Sequence, residues 1–204
     1  LGLGVATDRF AYGVSVSKFH SDGFSAADKI NGNTEKDGFD NTTVNARARY
    51  ELTNRLGVDA SYRHSDTDAD VDGFGPVDAL DTAATVNQSG LVRLRVADVL
   101  GLDHKFTVAA SDIDRVSKSA FPSVYSGEHR LYRWQADSRD QNARLAYSFG
   151  AEHEDTQADL NGSVKAELGV DSVFGVARFN ATDRLSVTAG LRHDETDTYG
   201  GKTT

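Results

Sequence analysis

"VNARARYELTNRLGVDASYRH", residues 44–64, decides how the whole chain is read. Val44, Ala46, Ala48, Tyr50 and Leu52 alternate with Asn45, Arg47, Arg49 and Glu51. After Thr53-Asn54-Arg55 the alternation resumes, with Leu56, Val58, Ala60 and Tyr62 set against Gly57, Asp59, Ser61 and Arg63. Successive side chains of an extended chain point to opposite faces, so a period of two marks a strand with one apolar and one polar face. Two such runs joined by three polar residues make a hairpin.

The same pattern spreads outward in both directions. Phe10, Tyr12, Val14 and Val16 alternate with Ala11, Gly13, Ser15 and Ser17, and Val92, Leu94 and Val96 with Arg93, Arg95 and Ala97. Further runs place Phe106, Val108 and Ala110 on one face, then Tyr132, Trp134 and Ala136, then Ala143, Leu145, Tyr147 and Phe149, and finally Leu185, Val187, Ala189 and Leu191. "VDSVFGVARFN" at 170–180 fits either phase. Short breaks at Asp8-Arg9, Thr53 to Arg55, Asp98 to Gly101, Ser138 to Asp140 and Ala181 to Asp183 alternate with long segments at about 21–40, 66–87, 113–127 and 154–169. A last long segment begins after Asp194. That order puts the tight turns at one end and the long connections at the other, in an up-and-down antiparallel sheet of roughly ten strands.

Alternation also occurs in soluble sandwiches, so other features must separate the two. The runs extend over about ten residues, against ~5 to 6 for a common soluble strand, and a tilted strand needs ~9 to 11 residues to cross a bilayer. One face carries almost no charge while the other repeats Arg, Asp, Lys and Glu. Aromatic residues gather near strand ends, at Phe10, Tyr12, Tyr50, Tyr62, Tyr147, Phe149 and Phe179, as interfacial girdles do. Backbone groups in hydrocarbon are satisfied only in a closed barrel. The expectation is therefore all-β, a transmembrane antiparallel up-and-down β-barrel segment belonging to a larger ring.

The 204 residues contain no Cys, which excludes a disulfide scaffold and thiolate metal sites. There is also no Met, and the chain opens "LGLGVATDRF" with neither initiator nor signal peptide, so residues 1–204 are expected to be part of a longer protein. The net charge of −9 sits in two segments. Asp22, Asp28, Glu35, Asp37 and Asp40 outnumber Lys29 and Lys36, and Asp66, Asp68, Asp70, Asp72, Asp78 and Asp81 have no base among them. Nucleic acid is excluded as a partner, because phosphate binding wants a concentrated basic surface.

Within "HSDTDADVDGFG" (64–75), Asp68, Asp70, Asp72 and Gly73 match the first half of an EF-hand loop. Position twelve from Asp68 is Ala79, where a bidentate Glu is required, so that reading fails. His20, His64, His104, His129, His153 and His193 form no His-x-His or His-x3-His pair, and are read as rim residues meeting water or headgroups. "AYSFG" (146–150) lacks the first glycine of a nucleophile elbow and lies on a strand, so no enzymatic activity is expected.

Several stretches resemble TonB-dependent outer-membrane receptors, and among those the cobalamin (vitamin B12) receptors. They are "GNTEKDGF" (32–39), "ALDTAATVNQSGLVRLRV" (79–96), "FTVAASDIDR" (106–115), "HRLYRWQADSR" (129–139) and "LSVTAGLRHDETDTYGGKT" (185–203). The resemblance implies a barrel of about 22 strands filled by a plug, of which this chain supplies fewer than half, without plug, TonB box or closing strand. It implies a Gram-negative outer-membrane location with the long loops extracellular. Implied partners are outer-membrane lipid and lipopolysaccharide, the plug and through it TonB, and cobalamin or another large scarce nutrient. A siderophore receptor or a passive porin-like barrel is the alternative. The resemblance also implies Ca2+ between two acidic loops. The corresponding acids fall on Glu35 and Asp37, on one of Asp70 or Asp72, and on Asp81, with Ser25 standing where the family pattern has a further acid. Arg47, Arg49, Arg63, Arg93, Arg95, Arg133, Arg144 and Arg192 are read as a polar lumen wall facing the plug, or as an anion pathway.

Overall fold

A computed structural model describes residues 1–24, 36–72, 81–182 and 184–204 of the chain. They form one antiparallel sheet of eleven strands in which each strand pairs with its neighbours in sequence. The strands are β1 (Gly2–Ala6), β2 (Phe10–Ser21), β3 (Phe39–Glu51), β4 (Leu56–Val71), β5 (Asp81–Val99), β6 (Leu102–Lys118), β7 (Ser123–Ser138), β8 (Leu145–Leu160), β9 (Val164–Thr182), β10 (Leu185–Thr196) and β11 (Gly200–Thr203). The expected class holds, and the count exceeds ten by β11, a four-residue strand led by Gly200 that carries no apolar alternation. β1 and β11 are not paired with each other, so the sheet is open.

The strands are longer than expected. β4 and β6 to β8 have 16 or 17 residues and β5 and β9 have 19. At ~3.3 Å per residue, sixteen residues reach about 53 Å, well beyond a hydrocarbon core of ~30 Å. The ladder, once formed, continues through polar residues into water, because each added pair satisfies its own backbone groups. Three of the segments expected to be long loops are tight turns for that reason, at 119–122, 161–163 and 197–199. Asn161 (φ 56°) and Gly162 (φ 68°) adopt the left-handed conformations that a tight hairpin connection requires.

Phases follow from the register. Val173, Gly175, Ala177 and Phe179 pair with His193, Leu191, Ala189 and Val187, which settles the 170–180 segment. Phe174, Val176 and Arg178 therefore share the polar face. Among the described residues the buried hydrophobics are only Ala83, Ala136 and Ala146, whereas Val92 is 55% exposed and Leu191 65%. A single layer of sheet with its valines and leucines outward has no protein core. Its apolar face needs an apolar solvent.

That face forms a band whose edge is sloped. Directly across the hydrogen bonds from Val16 lie Val44, His64, Gln88, Asp112, Glu128, Gln157 and Glu167. The uppermost apolar residue shifts from Val16 on β2 to Tyr62 on β4, Ala151 on β8 and Leu191 on β10, a drift of eight register positions over eight strands. One residue (~3.3 Å) per strand spacing (~4.8 Å) corresponds to a slope of about 35°. Strands tilted ~35 to 45° to a barrel axis keep such a band level with a membrane.

Candidate functional site: polar wall and acidic rim

The face opposite the band carries ion pairs bridging three or four strands. On β3 to β5, Arg95 Nη2 donates to Glu51 Oε1 at 2.6 Å and Arg95 Nε to Asp59 Oδ2 at 2.7 Å. Arg49 Nε donates to the second Asp59 oxygen at 2.7 Å. Arg95 reaches Glu51 across Gly57, where a Cβ would sit 2.5 Å from both Arg95 Nη2 and Glu51 Oε2. Glycine at 57 is thus what lets β5 reach β3.

On β7 to β10 the centre is Glu152, whose side chain is 1% exposed. Arg133 approaches it at 2.5 Å, and Arg192 contacts its other oxygen. Arg192 Nε also donates to Asp194 at 2.7 Å and its Nη2 to Ser172 at 2.8 Å. Lower on the wall, Lys105 meets Asp137 at 2.8 Å, and Gln135 and Ser148 donate to the same carboxylate. In these clusters each carboxylate is matched by a cation in place, as suits a wet wall inside a barrel.

Above the apolar band the outward face turns acidic. His20 lies between Asp40 (3.0 Å) and Asp22 (3.2 Å), and His153 between Asp171 (2.8 Å) and Asp155 (3.1 Å). Hydrogen bonding to Asp40, then Asp22, raises the His20 pKa above its ordinary value, and Asp171, then Asp155, does the same for His153. His64 and His193 occupy matching border positions, each followed two residues later by an acid, Asp66 or Glu195. The His-x-acid spacing on four ascending strands was the available sequence signal for this girdle. A search for His–His pairs misses it.

The proposed calcium ligands fare unevenly. Glu35 lies outside the described residues. The Asp37-Gly38 segment runs beside β4, where Asp70 N donates to Gly38 O at 2.9 Å. A Cβ at Gly38 would lie 2.8 Å from Asp70 Oδ2. Among the described residues, neither carboxylate oxygen of Asp72 has a hydrogen-bond partner, and both are shielded from solvent. Asp81 pairs with Val71 and so faces the side opposite Asp70. Among the described residues no three acids or histidines stand together as a ready-made cation cage. Asp70 and Asp81 were expected in loops, yet both belong to strands. Asp37, Asp70 and Asp72 are oxygen donors of the kind a hard cation takes.

A single-layered sheet of long strands, lipid-like outside and ion-paired inside, defines a segment of a membrane β-barrel. The family described as "TonB dependent receptor-like, beta-barrel" matches residues 2–204, and the chain belongs to it. That family places it in the outer membrane of Gram-negative bacteria. The siderophore receptor PirA from Pseudomonas aeruginosa superposes with a TM-score of 0.76 at 13% identity, over 99% of this chain and 34% of that one. A mutant of the ferric enterobactin receptor PfeA from the same organism gives 0.78 at 11% identity, over 99% and 37%. The hemophore receptor HasR from Serratia marcescens gives 0.72 at 18%, over 96% and 31%. The chain therefore spans about a third of the length of these solved receptors. No curated protein sequence matches it.

Proposed function

We propose that this segment serves an outer-membrane receptor that takes up cobalamin by TonB-coupled transport, with calcium ordering its outer rim. The support for cobalamin is the set of sequence stretches that resemble cobalamin receptors, above all "ALDTAATVNQSGLVRLRV" (79–96). The outer ends of β2 to β5, with their acids, face the cell exterior and meet ligand, while lipopolysaccharide covers the outward face. Asp37, Asp70 and Asp72 would hold the calcium, and Glu35 and Asp81 complete the set only if the rim rearranges. The cation would draw the β2–β3 and β4–β5 connections together.

The inner wall binds and guides, and performs no reaction. Its ion pairs give a plug a hydrated, polar surface to move against when TonB pulls. Ferric siderophores are the second reading, since several similar structures are receptors named for such ligands.

Titrating the full-length receptor with cyanocobalamin and with ferric chelates, with and without calcium, separates the readings. Calcium-dependent binding of cyanocobalamin, with the dependence lost in Asp70→Asn/Asp72→Asn, is expected. Binding of a ferric chelate with no response to cyanocobalamin would overturn the cobalamin reading. Calcium-independent binding would remove the cation.

A further inference from the structure

Glu152 on the inner wall is held by two arginines, which keep their charge at any working pH. The outward face of the same strands, just above the apolar band, is compensated differently. There His153 on β8 lies 2.8 Å from Asp171 on β9 and 3.1 Å from Asp155 on its own strand. Asp171 stands directly opposite Glu195 on β10. His193 reaches Glu195 at 3.8 Å and bonds to Thr203 on β11 at 2.8 Å.

The chain makes room for this crowding. Gly201 faces Glu195 across the β10–β11 ladder, and a Cβ there would sit 2.5 Å from Glu195 Oε2 and 3.1 Å from His193 Cε1. Gly169 on β9 lies under the Asp197 carboxylate, which a Cβ would overlap. Asp197 N donates to Gly169 O at 3.2 Å, closing the seam where the β10–β11 turn meets β9. Asp155, Asp171, Glu195 and Asp197 are thereby gathered along one seam.

Like charges directly opposite one another destabilise a ladder. Among the described residues no lysine or arginine lies within ion-pair distance of these acids, whose cationic partners are the two imidazoles. Nearby cations are engaged elsewhere. Arg130 on β7, across from Asp155, is held by Asp112 and Glu128, and Lys165 by Asp159. Tyr132, across from His153 on β7, is neutral, with its ring 6.3 Å from the imidazole. His20 has a similar arrangement between Asp22 and Asp40, but Lys36 also reaches Asp22, so that pair is not left to histidine alone.

We propose that His153 and His193 form a pH-operated latch. Protonated, they tie the outer end of the β10–β11 hairpin to β8 and β9; neutral, they leave the facing acids to push that end loose. Hydrogen bonding to Asp171 foremost, then the charge of Asp155, raises the His153 pKa above its ordinary value. A histidine shifted that way stabilises fully below its unfolded value of ~6.5, and loses the contribution as pH rises through the folded value. The latch therefore holds in mildly acidic medium and slackens in alkaline medium. Its members are half-exposed, so the effect is local opening and not global unfolding. It governs how the mouth of the barrel is ordered, whichever nutrient passes.

Hydrogen exchange on the full-length receptor in detergent at low salt, corrected for the intrinsic pH dependence of exchange, tests this. Amides of 193–204 should be about two- to fivefold less protected at about pH 8 than at about pH 5.5, as suits exposed ion pairs. Those around the Thr53–Arg55 turn, at the other end of the sheet, should not change. His153→Gln/His193→Gln should be loose at both pH values. Asp171→Asn/Glu195→Gln, which removes the facing charges, should be protected at both. Heat-dependent gel migration shows that each variant is folded. Equal protection of the wild-type segment at the two pH values overturns the proposal. So does a pH response that survives in either folded double variant, or a histidine variant that stays fully protected.

Discussion

On β4, Val58, Ala60 and Tyr62 share one face while Asp59, Ser61 and Arg63 share the other. The outward residues have no protein neighbour layer, yet lack charge. Inward Asp59 is charged, yet finds Arg49 and Arg95 within the sheet at 2.7 Å. The difference shows that the two sides answer to different solvents. Outside, the energy lies in removing apolar surface from water, and any charge is costly. Inside, water is present, so the cost of a charge is small and its partner fixes geometry more than stability.

That contrast breaks most visibly at neighbouring residues. Val92→Arg should cost about 2–4 kcal/mol in refolding into lipid vesicles, as should Val187→Arg, because both lie within the apolar band. Leu91→Arg, one residue away but inward, should stay within about 1 kcal/mol. Equal costs at 91 and 92 would show one solvent on both sides.

A smaller effect sharpens the inner wall. Glu152→Ala strands Arg133 and Arg192 together, and should cost about 2 kcal/mol in the same assay. Replacing all three by neutral residues should recover much of that loss, and a triple variant as unstable as the single one would show that packing, not charge, is at stake.

The smallest effect belongs to the rim. The pKa values of His20 and His153 are raised by their carboxylate partners. A raised folded-state pKa stabilises below the unfolded value of ~6.5 and loses that stabilisation as pH rises through the folded value. NMR titration should place both histidines above ~6.5, and Asp40→Asn should move His20 down while leaving His153 in place.

How much of this was legible in the sequence depends on what local chemistry decides. Alternation through Val44 to Tyr62 fixed strand identity and facing, because a one-residue slip would put every arginine in lipid. Strand length was underestimated, since polar runs such as Asp66 to Asp70 look like loop when read by composition and are strand by ladder continuation. The Asn161-Gly162 pair was a turn signal inside a supposed long loop. Cross-strand partnerships such as Arg95 with Glu51, 44 residues apart, are invisible without register. The acids of the rim were found, but not which face each takes, and Asp81 shows the consequence.

The central claim is that alternate residues meet lipid and water. Single cysteines placed from Leu91 to Val96, spin-labelled in the full-length receptor in bilayers, test it directly. Labels at Val92, Leu94 and Val96 should collide with oxygen dissolved in lipid, and those at Leu91, Arg93 and Arg95 with a water-soluble nickel complex. A flat profile, or nickel access at Val92 and Leu94, would contradict the account.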